Sequence, residues 1–374
     1  MRVLHITDTR QLRGAEVFAS DLIRVLNEAQ VSQCVGVINH IPGEVVQFDA
    51  PVYVLGSNGW RTPGLRIRPR ALAALRQLIR EWRPDIIQAH GGSTHKYTIP
   101  VVTARRTRVV YRKIGPTPPE IAGPIKRAAH SFLMRFADRV VVVGEAVRRN
   151  TMEMFRLPAE KVITIPNAVD IRRIRTTRSR DDTRRALTIP PTAPVILSLG
   201  ALTWEKDPLA HVEIGARVLE RTPSAVHIMV GDGPMRGEVE AAIRARGLEG
   251  RVLMLGARTD AADFLAASDV LLFASRPDGM ESMNASVIEA GMLGIPAAAY
   301  AVGGVPEIVI DGATGRLSRP GDVAGLAECV LELLKDREAA QAMGEAARRR
   351  YLSLYDMGTV APMYRQLYEE VLGA

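Results

Sequence analysis

The chain has 374 residues, more than a single hydrophobic core usually fills, so its length predicts two domains. Hydrophobic residues make up 47% of it and charged residues 24%, a globular composition that excludes intrinsic disorder. The net charge is +8, and residues 1–170 hold 25 Lys and Arg against 14 Asp and Glu. A basic half of this kind indicates either an anionic partner or a solvated, arginine-rich surface.

The first residues, MRVLHITD, predict a strand, because their apolar stretch is too short for a signal peptide. No later stretch approaches the ~20 apolar residues of a membrane span. The two cysteines, Cys34 and Cys329, fit no metal or redox spacing, so neither a disulfide nor a zinc site is expected. These features predict a cytoplasmic protein, either soluble or peripheral on the inner face of the plasma membrane.

Short β-branched runs alternate with amphipathic segments of helical length along the whole chain. This pattern is typical of parallel sheets built from βαβ units, so the predicted fold class is α/β, with two doubly wound, Rossmann-like domains. The predicted strands of the first domain are Val3–Ile6, Gln33–Val37, Val52–Val54, Ile86–Gln88, Val109–Tyr111, Val140–Val143 and Val162–Ile165. Those of the second domain are Val195–Leu199, Val226–Val230, Val252–Leu255, Val270–Phe273, Ala297–Tyr300 and Arg316–Leu317.

The domain boundary is predicted after the segment IPNAVDI, residues 165–171. Residues 172–191 are rich in Arg, Asp and Thr and show no apolar period, which indicates a linker. The first domain then covers residues 1–170 and the second residues 171–354. An amphipathic segment over residues 355–374 follows a complete second domain, and we expect it to pack back on the first.

Two glutamates, Glu281 and Glu289, flank the start of a predicted helix in the segment GMESMNASVIEAGMLG. Asn284 is a good N-cap residue, so the helix should run over residues 285–293 with Glu289 in its second turn. Eight helical residues span ~12 Å, which is too far for the paired carboxylates of a glycosidase. The spacing therefore suits a longer ligand.

A nucleotide-diphosphate sugar has three parts that match this arrangement. The amides of Ser282, Met283 and Asn284 at the helix start would bind the diphosphate, with help from the helix dipole. Glu289 would accept hydrogen bonds from the ribose diol, and Glu281 from hydroxyls of the sugar. The alternative is a surface glutamate and a helix-face glutamate with no ligand.

Several segments resemble, in order and spacing, the blocks that characterise the retaining glycosyltransferases of family 4, also called glycosyl transferases group 1. That family has the GT-B fold, in which two Rossmann-like domains face a cleft. The first half carries segments similar to the family's glycine-rich loop with its first helix, and to its interdomain crossover: RGAEVFASDLIRVL and IPNAVD. The second half carries, around the Glu-x7-Glu signature, the segments VILSLGALTWEKD, IMVGDGPMRGEVE, RVLMLGARTD and GGVPEIVIDGATGRL.

The resemblance implies roles for five residues. Glu281 would contact the donor sugar, Glu289 the ribose and Lys206 the diphosphate, with Glu281 and Lys206 as the catalytic pair. Gly14, in the loop after the first strand, would let the backbone approach the phosphates or the acceptor closely. Arg258 stands where the base meets the backbone. Lys206, Gly14 and Arg258 each have a structural alternative: a solvated lysine, a plain turn glycine and a surface arginine.

The chain departs from the family at several points. Ala201 stands where the family commonly has an arginine on the diphosphate, and Ser-Met-Asn at 282–284 replaces Gly-Phe-Gly. A family histidine after the fifth strand is missing, and Arg112 and Lys113 stand there instead, as a second cation or an acceptor anchor. His90 ends a predicted strand, where open α/β sheets bind ligands, so it could contact acceptor or sugar or be a satisfied loop histidine.

The resemblance implies transfer of a hexosyl group to an acceptor hydroxyl with retention of configuration, by front-face attack in which the leaving phosphate takes the acceptor proton. The donor would bind the second domain, and a glycan, lipid-linked or small-molecule acceptor the first. No Asp-x-Asp motif is present, so Lys206 and helix amides would stabilise the diphosphate without a metal or other cofactor. A nucleotide-sugar epimerase of the same fold and a non-catalytic partner subunit are the alternatives. A nicotinamide-dependent dehydrogenase is disfavoured, because LRGAEV is not its G-x-G-x-x-G motif.

The basic residues of the first domain favour an anionic acceptor or membrane surface over nucleic acid, because they match no RNA- or DNA-binding signature. Their clusters are Arg66/Arg68/Arg70, Arg76/Arg80/Arg83, Arg105/Arg106/Arg108 and Lys126/Arg127. The segment PRALAALRQLIREW would place Leu72, Leu75, Ile79 and Trp82 on one side of a helix beside arginines. Such a helix suits either a membrane interface or the core of a doubly wound sheet.

Overall fold

A computed structural model of the protein describes residues 1–11, 13–41, 45–56, 67–92, 94–98, 107–117, 121, 123–279 and 281–373. Its contacts divide the chain into two units, one of Met1–Ala168 with Met357–Ala374 and the other of Val169–Asp356. Each unit contains one parallel sheet with helices between most successive strands, which confirms the predicted α/β class. Three members of the predicted basic clusters, Arg66, Arg105 and Arg106, lie outside the described residues.

The strands of the first unit are β1 (Arg2–Thr7), β2 (Ser32–Val37), β3 (Val52–Val54), β4 (Ile86–His90), β5 (Arg108–Lys113), β6 (Arg139–Val142) and β7 (Val162–Thr164). They form one sheet in the order β3-β2-β1-β4-β5-β6-β7. The helices are α1 (Gly14–Glu28), α2 (Pro69–Trp82), α3 (Thr94–Thr98), α4 (Pro124–Arg135) and α5 (Glu145–Phe155). Strand order reverses between β1 and β4, so the loops after these strands lie at the switch point where open α/β sheets bind ligands.

The strands of the second unit are β8 (Val195–Leu199), β9 (Val226–Val230), β10 (Val252–Gly256), β11 (Val270–Phe273), β12 (Ala297–Tyr300) and β13 (Gly315–Ser318). Its helices are α6 (Arg180–Ala186), α7 (Pro208–Arg221), α8 (Arg236–Ala245), α9 (Ala261–Ala267), α10 (Ala285–Met292), α11 (Val305–Ile308), α12 (Val323–Lys335) and α13 (Arg337–Tyr355). The sheet order is β10-β9-β8-β11-β12-β13, which puts the switch point between β8 and β11. Every predicted strand is present, with small shifts at its ends.

The last helix, α14 (Met357–Gly373), belongs to the first unit. Its buried Tyr364 and Tyr368 share a hydrophobic core with Phe18 and Leu22 of α1. The Tyr368 hydroxyl donates a hydrogen bond to Gln88 Oε1 on β4 at 3.0 Å. The chain therefore returns to its first unit after it completes the second.

The prediction of a linker over residues 172–191 is wrong, because this segment contains α6 and is anchored in the second unit. The Arg178 and Thr177 side chains donate to the buried Asp263 carboxylate at 3.1 and 2.7 Å. Arg184, also buried, lies 3.0 Å from Asp269. Ion pairs and hydrogen bonds, rather than an apolar stripe, anchor this segment to the second unit. Hydrophobic periodicity therefore could not reveal its helix.

The amphipathic helix α2 packs within the first unit. It buries Ala71, Leu75 and Leu78, and Ile79 and Trp82 are half-buried. Its apolar face is thus covered by the protein itself, which is the core-packed alternative of the two that the sequence left open. None of the described helices has the length and hydrophobicity that a bilayer span requires.

Candidate donor site

The Glu281 carboxylate is held by three side-chain donors in the second unit. Its Oε2 accepts from Lys206 Nζ at 2.6 Å and from Ser275 Oγ at 2.8 Å. Its Oε1 accepts from Asn284 Nδ2 at 3.3 Å. A carboxylate offers about four lone-pair positions, so this one can still accept a hydrogen bond from a hydroxyl.

Asn284 is the N-cap of α10, as the sequence predicts. Its Oδ1 accepts from the amides of Ser286 at 2.9 Å and Val287 at 3.4 Å. The same side chain contacts Glu281 through its Nδ2, so one residue fixes both the helix start and the carboxylate. The position of Glu281 therefore depends on the geometry of α10.

The backbone at the start of α10 is suited to an anion. The amides of Ser282, Asn284 and Ala285 donate to no other residue in the described part of the chain. They lie at the positive end of the helix dipole, where phosphate groups commonly bind. The Met283 side chain is buried, so only its backbone can face a ligand there.

The turn Gly303–Gly304 packs against the loop that carries Glu281. Gly303 has a φ of +53°, in the region that favours glycine, and a Cβ there would overlap the Glu281 carbonyl oxygen. A Cβ at Gly304 would lie 3.1 Å from the Met283 amide nitrogen. The Gly-Gly pair of GGVPE thus lets the loop after β12 support the backbone of the site.

Lys206 ends a 3₁₀ turn, Trp204–Lys206, that follows β8. Its side chain is 28% exposed. It lines a cavity at the carboxyl ends of β8 and β11, together with Ser198, Leu199, Gly200, Ala201, Leu202, Phe273 and Ser275. Ala201 is exposed and adds no charge, so Lys206 supplies the permanent positive charge among these lining residues.

A buried histidine network supports this cavity. The Ala274 amide donates to His211 Nε2 at 3.2 Å, and Ser198 Oγ lies 2.7 Å from His211 Nδ1 and 2.8 Å from His227 Nε2. Because an amide can only donate, His211 carries its proton on Nδ1 and is neutral; burial lowers its pKa to about 4. The network ties β8 to the residue before Ser275.

Glu289 lies in the second turn of α10 and pairs with an arginine from the start of the second unit. Arg173 Nη2 lies 2.8 Å from Glu289 Oε1, and the two side chains are 34% and 13% exposed. A ribose bound at Glu289 would share the carboxylate with this guanidinium. The Glu289 carboxylate is therefore partly accessible, but the Arg173 guanidinium would compete with a ribose for it.

Arg258 follows β10 and is engaged elsewhere. Its Nε and Nη2 donate to the two oxygens of Asp260, each at 2.8 Å. Arg178 also pairs with Asp260, at 2.5 Å. These contacts tie the Arg258 side chain to the start of α9, away from the Lys206–Glu281 pair. A base contact by its backbone stays a prediction.

In the first unit, Gly14 is the first residue of α1. No described atom lies within 4 Å of the position that a Cβ on Gly14 would occupy. A Cβ on Gly91, in the loop after β4, would lie 3.9 Å from Ala15 Cβ, so that loop lies beside the start of α1. The packing of the described residues therefore does not require glycine at position 14.

His90 ends β4 and is 1% exposed. Its Nε2 lies 2.9 Å from Nδ1 of His5. His5 Nε2 contacts Gln33 Oε1 at 2.9 Å, and the Gln33 amide donates to the Ile23 carbonyl. Gln33 Oε1 must then accept, which places the protons of both histidines on Nε2. Burial, together with the neighbouring His5 and the Arg112 charge, lowers the pKa of His90 well below its usual value. Its Nδ1 lone pair has no partner among the described residues, and its burial favours a positioning role.

Arg112 and Lys113 lie inside the first unit. The Arg112 guanidinium is 3.5 Å from the centroid of the Phe18 ring, and its Nη2 donates to Asn167 Oδ1 at 2.8 Å. Lys113 donates to the Gly115 carbonyl, and burial lowers its pKa to about 8. Both side chains are buried, which disfavours their contact with an acceptor or a diphosphate.

Three residues of the site were missed from the sequence: Ser275, Arg173 and His211. A signal existed for Ser275, because it follows the end of β11 at the switch point, where polar side chains commonly bind ligands. Arg173 stood in the supposed linker, and His211 lies on α7 among apolar residues. Their partners are distant in sequence, so no local pattern marks either residue.

Two family models match the chain, one for each half. The model described as Glycosyltransferase Family 4 matches residues 12–173. The model described as Glycosyl transferases group 1 matches residues 179–350, which include Lys206, Glu281 and Glu289. Together they cover most of both units.

Similar proteins include the 2-deoxystreptamine glucosyltransferase of Streptomyces kanamyceticus, 29% identical over 321 residues, 81% of this chain and 82% of that protein. The N-acetyl-alpha-D-glucosaminyl L-malate synthase of Bacillus anthracis is 28% identical over 244 residues, 64% of this chain. That match spans 62% of the synthase, less than two thirds of its length. The crystal structure of Anabaena HepE in complex with UDP and glucose superposes with a TM-score of 0.83 at 23% identity, over 98% of this chain and 99% of that chain. This superposition shows a shared fold.

Proposed function

We propose that this chain, which has the GT-B fold of two Rossmann-like domains, is a group 1 glycosyltransferase that transfers a hexosyl group with retention of the anomeric configuration. The proposed donor is a nucleotide-diphosphate sugar with uridine or guanosine as its base. The proposed acceptor is a hydroxyl in glycan, glycolipid or glycoconjugate biosynthesis. One observation carries the proposal: the Glu281 carboxylate lies against Lys206 at the start of α10.

The donor would bind in two adjoining subsites. Lys206 and the amides at the start of α10 would hold the diphosphate, while the remaining lone pair of Glu281 accepts a hydrogen bond from a sugar hydroxyl. Lys206 Nζ is 2.6 Å from Glu281, so a ligand on both residues has its sugar directly beside its phosphates. Glu289 would accept from the ribose diol farther along α10.

The chemistry follows from where the charge develops. As the bond between the anomeric carbon and the phosphate oxygen breaks, negative charge grows on the diphosphate, and the fixed Lys206 ammonium and helix amides stabilise it. The acceptor oxygen bonds to the anomeric carbon on the face that the phosphate leaves, and its proton passes to a phosphate oxygen. Glu281, held by three donors, orients the sugar and is not the nucleophile. We propose that this requires no metal or other cofactor.

The acceptor would bind the first unit, whose excess of Lys and Arg suits an anionic or membrane-borne molecule. Gly14 leaves open space at the start of α1, and the neutral His90 would position the loop after β4 beside it. We propose that the enzyme works at the cytoplasmic face of the membrane. Lipid-linked glycans and anionic small molecules are the acceptor classes to test first.

A thermal-shift screen against UDP-, GDP-, ADP- and TDP-sugars tests the donor proposal. A ligand at 100 times its Kd stabilises the folded protein by ~2.7 kcal/mol, so one base class should raise Tm clearly above the others. NMR of the transfer product should then show the donor's anomeric configuration. An inverted product contradicts the mechanism, and a donor isomerised without any acceptor indicates an epimerase.

A further inference from the structure

Helix α4 of the first unit, with its C-cap residue Phe136, turns an apolar stripe towards solvent. Ile125, Phe132 and Phe136 are 85%, 60% and 58% exposed, whereas the opposite face buries His130 and Met134. The three exposed residues fall within ~40° of one another on a helix of 3.6 residues per turn. The rings of Phe132 and Phe136 touch edge to face, with centroids 4.9 Å apart.

Exposed phenylalanine is unusual in this protein. In the part of the chain that the structure describes, Phe132 and Phe136 are exposed to solvent, and every other phenylalanine is buried or half-buried. A large apolar patch on the surface of a soluble domain commonly marks an interaction site. The stripe therefore requires a partner that accepts apolar side chains.

Positive charge flanks the stripe. A groove beside Phe132, between α4 and the end of α5, is lined by Arg127, Arg135 and Arg156. None of these arginines forms a salt bridge with a described residue, and α4 contains Lys126 but no Asp or Glu. Such a groove can accept a phosphate group, because guanidinium groups bind phosphate oxygens bidentately.

We propose that α4 and the adjoining arginine groove are the surface by which the enzyme docks on an anionic phospholipid bilayer. Phe132, Phe136 and Ile125 would enter the boundary between headgroups and acyl chains, while the arginines contact lipid phosphates, the division of roles found in interfacial helices. A second copy of the chain fits poorly, because two such faces would bring their cations together. The inference deepens the proposed function, since it names the surface that would bring the enzyme to a membrane-borne acceptor.

Vesicle flotation tests the proposal with the full-length protein, on phosphatidylcholine vesicles with and without phosphatidylglycerol. Wild type should float with the anionic vesicles at low salt and be released at high salt. Phe132→Ser with Phe136→Ser should weaken binding about tenfold or more, because two buried aromatic side chains are lost. Arg127→Gln with Arg135→Gln should weaken it about fivefold per charge.

The matched control removes two arginines from α2, whose apolar face is packed inside the protein. Arg70→Gln with Arg80→Gln lowers the net charge equally and should leave vesicle binding within about twofold, since no apolar residues enter the bilayer there. An Ile125→Cys variant labelled with an environment-sensitive dye gives a second readout, because Cys34 and Cys329 are buried. Its emission should shift to the blue on anionic vesicles alone.

Several results would overturn the docking surface. One is an equal loss of vesicle binding in the Arg127/Arg135 and Arg70/Arg80 double variants. Another is unchanged vesicle binding by the Phe132/Phe136 double variant. The third is a wild-type protein that shows no preference for anionic vesicles. Binding to inorganic polyphosphate but not to vesicles would indicate a soluble anionic partner, and a concentration-dependent dimer lost in the phenylalanine pair would indicate a second copy. Nucleotide-sugar binding by the same variants tests the donor site separately, so the failure of either proposal can be recognised.

Discussion

The turn at Gly303 offers a test of the donor site that replaces none of its side chains. A Cβ at Gly303 would overlap the Glu281 carbonyl oxygen and lie 2.7 Å from the carbonyl carbon, where ordinary carbon contacts are about 3.5–4.0 Å. Gly303→Ala must therefore move the Glu281 loop by roughly 1 Å, a displacement that can cost about 100-fold in rate. We expect kcat/KM and nucleotide-sugar affinity to fall together, measured by steady-state kinetics and calorimetry.

Gly247 provides the matched control for this change. Its φ is +61°, close to that of Gly303, but no described atom lies within 4 Å of a Cβ there. Alanine at either position costs roughly 1–2 kcal/mol for the left-handed backbone, so both variants should lose a few degrees of Tm. Only Gly303→Ala should lose donor binding. If it binds the nucleotide sugar as tightly as Gly247→Ala does, the support that Gly303 gives to Glu281 is not needed for function.

The remaining predictions concern single groups of the site. Lys206→Ala should lower kcat more than it raises KM, because negative charge on the phosphates grows towards the transition state. EDTA should leave wild-type turnover unchanged. Turnover that EDTA abolishes and only Mg²⁺ or Mn²⁺ restores would contradict a metal-independent reaction. Gly14→Ala should leave Tm unchanged, since open space surrounds the new Cβ, yet weaken substrate binding; unchanged kcat/KM would show that no ligand approaches Gly14. Arg173→Ala should tighten nucleotide binding about two- to fivefold in calorimetry by freeing Glu289, whereas weaker binding would mean that Arg173 itself holds the ligand.

Local signals in the sequence were sufficient for the fold and for part of the site. Most predicted strands are short apolar runs, many of them rich in β-branched residues, and burial on both sheet faces keeps such runs apolar. Asn284 was predictable as the N-cap because its hydrogen bonds reach only two and three residues along the chain. The grouping of Lys206 with Glu281 came from motif resemblance, since their sequence positions alone give no distance.

The features that could not be predicted from the sequence depend on contacts between residues far apart in the chain. Arg173 pairs with Glu289, 116 positions away along the chain. Asp263 binds Arg178 just before the polar helix α6, and Asp269 binds Arg184 within it, and no sequence periodicity marks such contacts. Arg112 was predicted to follow the fifth strand, which was expected to span Val109–Tyr111. The strand β5 continues to Lys113, so Arg112 is still within the strand, and its guanidinium lies buried against Phe18.

The roles of the two glutamates can be separated by calorimetry on Glu281→Ala and Glu289→Ala, with the nucleotide sugar that stabilises wild type and with its nucleoside diphosphate alone. Charge-assisted hydrogen bonds contribute ~1.5–3 kcal/mol each, so each loss should be about tenfold or more in Kd. Glu289→Ala should weaken both ligands alike, because both carry the ribose. Glu281→Ala should weaken only the ligand that carries the sugar; equal losses for both ligands in both variants would contradict the assignment of Glu281 to the donor sugar.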